Sequence, residues 1–290
     1  MDKASVALVT GANSGIGLAV TRALAERGWK VYATYRSAKR AQPLRDLAKI
    51  LPVVPLGMDV DQTASVKKAV RFLAQKEKGR VDFLLNNAGF VMAGFWEDLS
   101  DEDLRAQFET NVFGLLRVTR EVLPLMRKQG SGKILNVGSV GGLVALPVLG
   151  PYSATKFAVR SLTDALRMEG SLFGVEVSEL VPSEIQTAVA QNARKAEKAL
   201  AKDSPYSGFT RDFEKFSLER FKGAAPVEKL VRVVLRALED HPMKRRYLVK
   251  AEDHALYFIK RFLPDFLLEA ALASQFPWCK RPSSTIQSGR

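Results

Sequence analysis

Cysteine is almost absent from this chain of 290 residues: Cys279 is the only one. An internal disulfide is therefore excluded, and the usage suits a reducing compartment such as the cytoplasm. No apolar run approaches the roughly 20 residues that a helix needs to span a bilayer. A strand-like segment begins almost at the N-terminus, so no secretory signal is expected. Internal repeats and low-complexity stretches are lacking as well. Acidic residues are outnumbered, 31 against 44 Lys and Arg, which leaves a net charge of +13. That surplus would suit an anionic partner, yet no nucleic-acid-binding motif accompanies it, and no nucleic acid partner is expected. A solvated basic surface, or weak contact with an anionic membrane, stays open.

What the chain has is alternation. Short apolar runs near 5–10, 30–35, 53–58, 81–86, 132–138, 175–181 and 246–250 read as buried strands, with amphipathic helices between them. This pattern predicts an α/β fold, a doubly wound parallel sheet of about seven strands with helices on both faces. The length suits one large domain over 1–290 that needs no staples.

Three places carry chemistry. Residues 5–17 end in Gly11-Ala12-Asn13-Ser14-Gly15-Ile16-Gly17, a strand, a glycine turn and then a helix that stops at Gly28. Such a turn lets backbone N–H groups face a pyrophosphate at a helix N-terminus. Its spacing, G-x-x-x-G-x-G, differs from the better-known dinucleotide fingerprint. Asn86-Asn87-Ala88-Gly89 closes the fourth strand, and Asn111 lies within a helical run among apolar neighbours, where an amide needs a partner. Finally, Ser139 ends the fifth strand, and Tyr152 and Lys156 stand four residues apart on one helix. Many helices carry Tyr-x-x-x-Lys without any chemistry. Here, with the glycine turn, an ammonium beside the phenol would lower its pKa from about 10.

In order and spacing, Thr10–Gly17, Asp59, Asn86–Gly89, Asn111, Ser139, Tyr152 and Lys156 resemble the motif series of the short-chain dehydrogenase/reductase family. The resemblance runs from about residue 4 to 190 and leans toward hydroxysteroid and retinol dehydrogenase-type members. It implies Tyr152 as general acid/base, Lys156 as the group that tunes the phenol and holds the nicotinamide ribose, and Ser139 as a donor to the substrate oxygen. Asn111 would anchor a water linking Lys156 to solvent. The cofactor would rest on Gly11, Asn13, Ser14, Gly15, Ile16 and Gly17, on Asn87, Ala88 and Gly89, and on Asp59 and Val60 near the adenine. The family usually has Pro-Gly after the sixth strand. This chain has Pro182-Ser183, with Ile185 and Thr187 where the carboxamide contacts lie. No metal is implied.

Cofactor choice follows from the second strand. It ends Tyr35-Arg36-Ser37 with no acid to bind a ribose 2′-hydroxyl, and Lys39 and Arg40 follow. An arginine there accommodates a 2′-phosphate, so NADP(H) is expected over NAD(H), unless Arg36 is merely a solvated loop residue. Specificity should lie at about 188–225 and in a C-terminal segment at about 252–276, broken by Pro264. Their many Phe and Leu residues either cover a bulky apolar substrate (steroid, retinoid or lipid-like) or simply pack a lid onto the body. The reaction expected is hydride transfer between nicotinamide and a carbonyl or secondary alcohol. Epimerase- or dehydratase-type chemistry and a non-catalytic dinucleotide-binding regulator are the alternatives. A homodimer or homotetramer is expected.

Overall fold

The computed structural model describes residues 4–187, 193–201 and 203–276. Its centre is a seven-stranded sheet built from β1 (Val6–Val9), β2 (Lys30–Tyr35), β3 (Val53–Gly57), β4 (Phe83–Asn86), β5 (Gly132–Val137), β6 (Val175–Val181) and β7 (Arg246–Leu248). The spatial order is β3-β2-β1-β4-β5-β6-β7, and every pairing is parallel. Each strand sits where an apolar run predicted it. The last is shorter than its sequence suggested, because only Arg246–Leu248 find partners on Glu179–Val181.

Both faces of the sheet are covered, since successive side chains point to opposite sides. Val9, Val31, Phe83 and Leu85 pack with α1 (Gly15–Glu26), α2 (Gln42–Ala48) and α8 (Val227–Glu239) on one face. Leu8, Tyr32, Leu84 and Ile134 pack with α3 (Thr63–Lys76) and α5 (Leu115–Gln129) on the other. The chain leaves β1 toward β2 and β3, then returns to the other side of β1 at β4. That reversal opens a crevice at the carboxyl ends of β1 and β4, where sheets of this kind bind ligands.

The expected helical run through Asn111 is interrupted. After α4 (Asp101–Phe108) the backbone passes through a π-helical stretch, Glu109–Gly114, before α5 begins. One long helix, α6 (Gly150–Ser171), carries Tyr152 and Lys156. Pro264 divides the C-terminal segment into α9 (Ala251–Phe262) and α10 (Asp265–Ala273), as its position predicted. With α7 (Ser207–Lys222) these helices pack on the loop that follows β5 through Leu143, Val144, Val148, Phe213, Leu268 and Phe276. Residues 188–192 of the expected lid, and Cys279, lie outside the described residues. Among the described residues, no helix is long and apolar enough to cross a membrane, and no cluster of His, Cys, Asp and Glu is arranged to hold a metal.

Candidate active site

Gly11 and Gly15 both have positive φ, +59° and +52°, so the β1–α1 turn bends in a way that side chains with a Cβ disfavour. Gly17 is needed for a different reason. A Cβ there would lie 2.5 Å from the Gly11 carbonyl oxygen and 2.7 Å from Asn87 Nδ2. The turn is tied to the end of β4: Asn87 Nδ2 donates to the Thr10 and Gly11 carbonyls at 2.9 and 3.0 Å. Thr10 Oγ1 accepts from the backbone N–H groups of Asn87 and Ala88, both at 2.9 Å.

This scaffold frames a cavity of about 490 Å³. Gly11, Asn13, Ser14, Gly15, Ile16, Arg36, Asp59, Val60, Asn87, Ala88 and Gly89 all line it, so most of the residues expected to hold the cofactor converge on one space. Several lining residues were missed by the sequence reading, among them Ser37, Asp61, Phe90 and Arg194. Arg194 falls within the segment at about 188–225 expected to set specificity. Its backbone N–H donates to Val91 at 2.8 Å, and its guanidinium sits 4.2 Å from the centre of the Phe90 ring. No local signal places a residue 100 positions downstream over β4; only the pairing of the two-residue strands Met92–Ala93 and Arg194–Lys195 does so.

At one end of the cavity, Arg36 and Arg40 stand with Ser37. Arg36 is half exposed and forms an ion pair with Asp61 at 3.5 Å. Asp59 Oδ1 accepts from the Asp61 backbone N–H at 3.1 Å, which fixes this acidic wall. The chemistry fits a dinucleotide: a glycine cradle that a Cβ would fill, and two guanidinium groups at the distance end of the same crevice.

Asn111 has its partners. Its Oδ1 accepts from the Phe90 N–H at 3.1 Å, while Nδ2 donates to the Phe90 carbonyl at 3.0 Å and to Thr155 Oγ1 at 3.2 Å. The side chain thus clamps the exit of β4 to α6, and the π-helical backbone around it is the kind found at functional sites.

Ser139, Tyr152 and Lys156 come together at the carboxyl end of β5. Ser139 Oγ accepts from the Gly141 N–H at 3.0 Å, on the side of the loop that the Tyr152 ring faces. Lys156 Nζ lies 5.7 Å from the Tyr152 ring centre and donates to the Val137 carbonyl at 2.7 Å. The expected direction of the phenol shift needs correcting. Burial pushes the Tyr152 phenol up, and the neighbouring Ser139 hydroxyl opposes this only in part. The same burial pulls Lys156 down to about 8, against the attraction of Glu179. Desolvation outweighs the ammonium because Nζ is spent on a backbone carbonyl rather than on the phenol oxygen.

The stretch from Pro182 to Thr187 crosses the open side. The Pro182 carbonyl accepts from Val140, and Ile185 bridges to Ala225, so this loop is anchored at both ends. Thr187 reaches the glycine turn, where a Cβ on Gly15 would lie 3.4 Å from Thr187 Cβ. Ser183 Oγ is buried and has no hydrogen-bond partner among the described residues. A buried hydroxyl left unsatisfied beside this crevice fits a polar ligand group such as a carboxamide.

The sequence model of the short chain dehydrogenase family matches residues 5–198. A 3-ketodihydrosphingosine reductase of Bacteroides thetaiotaomicron is 32% identical over 267 residues, 92% of this chain and 96% of that protein. Human 17-beta-hydroxysteroid dehydrogenase type 1 is 32% identical over 271 residues, 90% of this chain and 79% of that protein. Among solved structures, a short-chain dehydrogenase/reductase from Burkholderia phymatum in complex with NAD superposes with a TM-score of 0.79. It is 27% identical, and the match covers 92% of this chain and 95% of that one.

Proposed function

Because the chain belongs to the short-chain dehydrogenase/reductase family, we propose that it is an NADP(H)-dependent oxidoreductase acting on the carbonyl or secondary alcohol of a bulky apolar molecule. The observation that carries this reading is the gathering of Ser139, Tyr152 and Lys156 at the carboxyl end of β5, on the same sheet edge as the glycine turn that frames the cavity. Nicotinamide, when bound, supplies or accepts the hydride. The chain's own residues handle the proton and the charge. Tyr152 keeps its proton at neutral pH, since burial raises its pKa, and a phenol held neutral is a proton donor to a substrate oxygen. Ser139 is aimed at the same oxygen and stabilises charge that develops there. Lys156, held at the Val137 carbonyl, is the group that would hold the nicotinamide ribose.

NADP(H) is favoured by Arg36 and Arg40 at the rim, where a 2′-phosphate would meet two guanidinium groups and compete with Asp61 for Arg36, while β2 itself ends without an acid. A bulky apolar substrate is favoured by the lid. Leu256, Tyr257, Leu263, Leu268 and Leu272 turn inward onto Leu143 and Val144, the residues just past the short helical turn that follows Ser139. The names of the two relatives point the same way, one to a long-chain keto lipid and the other to a steroid. The reading is tested by following nicotinamide absorbance with NADPH or NADP⁺ over a panel of steroid, long-chain and small ketones and alcohols. Turnover should appear with large apolar members and vanish in Tyr152→Phe, with cofactor binding retained. Wild-type turnover in that variant, or turnover confined to small ketones, refutes it.

A further inference from the structure

A second cavity, of about 320 Å³, opens between α6, β7 and α9. Its polar lining is cationic: Arg160, Arg245, Arg246, Lys260 and Arg261. Two carboxylates partly neutralise it. Asp164 takes Arg245 and Arg246 at 2.8 and 2.5 Å, and Glu179 takes Arg246 at 2.9 Å. Arg160, Lys260 and Arg261 form no ion pair among the described residues. Arg160 donates to the Gly142 carbonyl at 3.3 Å and lies 5.7 Å from the Tyr257 ring centre, and Lys260 lies 5.2 Å from that of Phe157. Burial and the nearby Arg246 push the Arg160 guanidinium down from its usual value, against the attraction of Glu179 and Asp164, and five basic side chains face only these two carboxylates in the cleft.

The same helix presents an apolar face to solvent. Phe258, Ile259 and Phe262 of α9 and Phe266 and Leu267 of α10 are 57%, 49%, 79%, 68% and 44% exposed. Single exposed apolar residues are ordinary, but five large ones on one helical pair form a patch. They are not needed to hold the helices down, because Leu256, Tyr257, Leu263, Leu268 and Leu272 already do so from the inner side.

From the pairing of this cleft with this patch we infer that α9 and α10 form a docking surface for a bilayer rich in anionic phospholipid. The aromatic and aliphatic side chains enter the interface, and the cleft takes a headgroup phosphate. Charge complementarity selects this occupant: a neutral apolar partner would leave Arg160, Lys260 and Arg261 unanswered. The inference stands apart from the reading of the reaction and is tested without turnover.

The full chain is sedimented with vesicles of phosphatidylcholine alone, or containing phosphatidylglycerol, at low and high salt. Retention is expected only on the anionic vesicles, and should fade as salt shortens the Debye length. Lys260→Ala with Arg261→Ala should weaken it about thirtyfold, at about the usual worth of two basic residues near such a surface. Phe258→Ser with Phe262→Ser should weaken it comparably at unchanged melting temperature, since both side chains are largely exposed. Retention that ignores the Phe substitutions overturns the two-part surface. So does a melting-temperature rise with inorganic phosphate but no vesicle retention, which would mark a site for a soluble anion. Self-association lost in the Phe variant, without vesicle binding by the wild type, would assign the patch to a second copy of the chain.

Discussion

At the scale of single residues, the site is governed by burial more than by pairing. Lys156 is held as an ammonium only below about pH 8, because desolvation costs the charged form more than Glu179 returns. Carbonyl reduction should therefore be level below that pH and fall above it as the ammonium is lost. Stability should move the other way. The unfolded chain keeps this lysine protonated to about 10.4, so between about 8 and that value it binds more protons than the folded chain, and folding gains with pH. A pH–rate profile and melting curves of wild type against Lys156→Met check both; a rate flat through pH 9 would remove Lys156 from the role. The rim arginines give a second expectation. Arg36→Asp should weaken NADPH binding by about 1–3 kcal/mol and NADH far less, the effect being moderated by half exposure and by Arg40 nearby. Equal losses for the two cofactors, by titration calorimetry, would show that no 2′-phosphate is read there.

At the scale of elements, the β1–α1 turn shows how much was legible. The glycines at 11, 15 and 17, the apolar run before them and the stop at Gly28 place strand, turn and helix from sequence alone. The atoms they protect are visible only in three dimensions. Gly17→Ala would set its Cβ against the Gly11 carbonyl oxygen and, at 2.9 Å, against Ala12 Cα, both backbone and unable to swing aside. It should cost about 1–3 kcal/mol and impair cofactor binding, whereas Gly208→Ala in α7, with nothing within 4 Å, should be neutral or slightly stabilising. Matching melting temperatures for the two would contradict this account. Where the sequence fell short, the cause is long-range. The π-helical stretch at Asn111 depends on contacts with Phe90 and Thr155, and Arg194 reaches the cavity through a strand pairing that no periodicity announces. The direction of the Tyr152 shift was misjudged for the same reason: spacing shows that Lys156 is near, but not that its ammonium is turned to Val137.

At the scale of the molecule, one helix face is exposed along most of its length, with Lys260 over Phe157 at one edge. Along α6, Ala154, Phe157, Ser161, Ala165 and Met168 recur at three- and four-residue intervals, and all are exposed. Phe113, just before α5, is 47% exposed. The small residues Ser161 and Ala165 let a second helix approach closely, and Phe157 and Met168 on either side of them supply area. A two-fold axis across α6 would set this stripe against its own copy, burying the same residues twice with one self-complementary patch. The opposite inner face of α6, with Ser153, Lys156 and Val159 buried, would then be braced from outside, which ties assembly to the rigidity of the Tyr152–Lys156 pair. We therefore expect a species of twice 32.0 kDa by sedimentation velocity at micromolar concentration. Ser161→Arg with Ala165→Arg should return it to the monomer, because two guanidinium groups from each copy would meet their counterparts across the axis. A wild-type chain that sediments only as the 32.0 kDa monomer, or a larger species indifferent to the two arginines, would place any contact elsewhere.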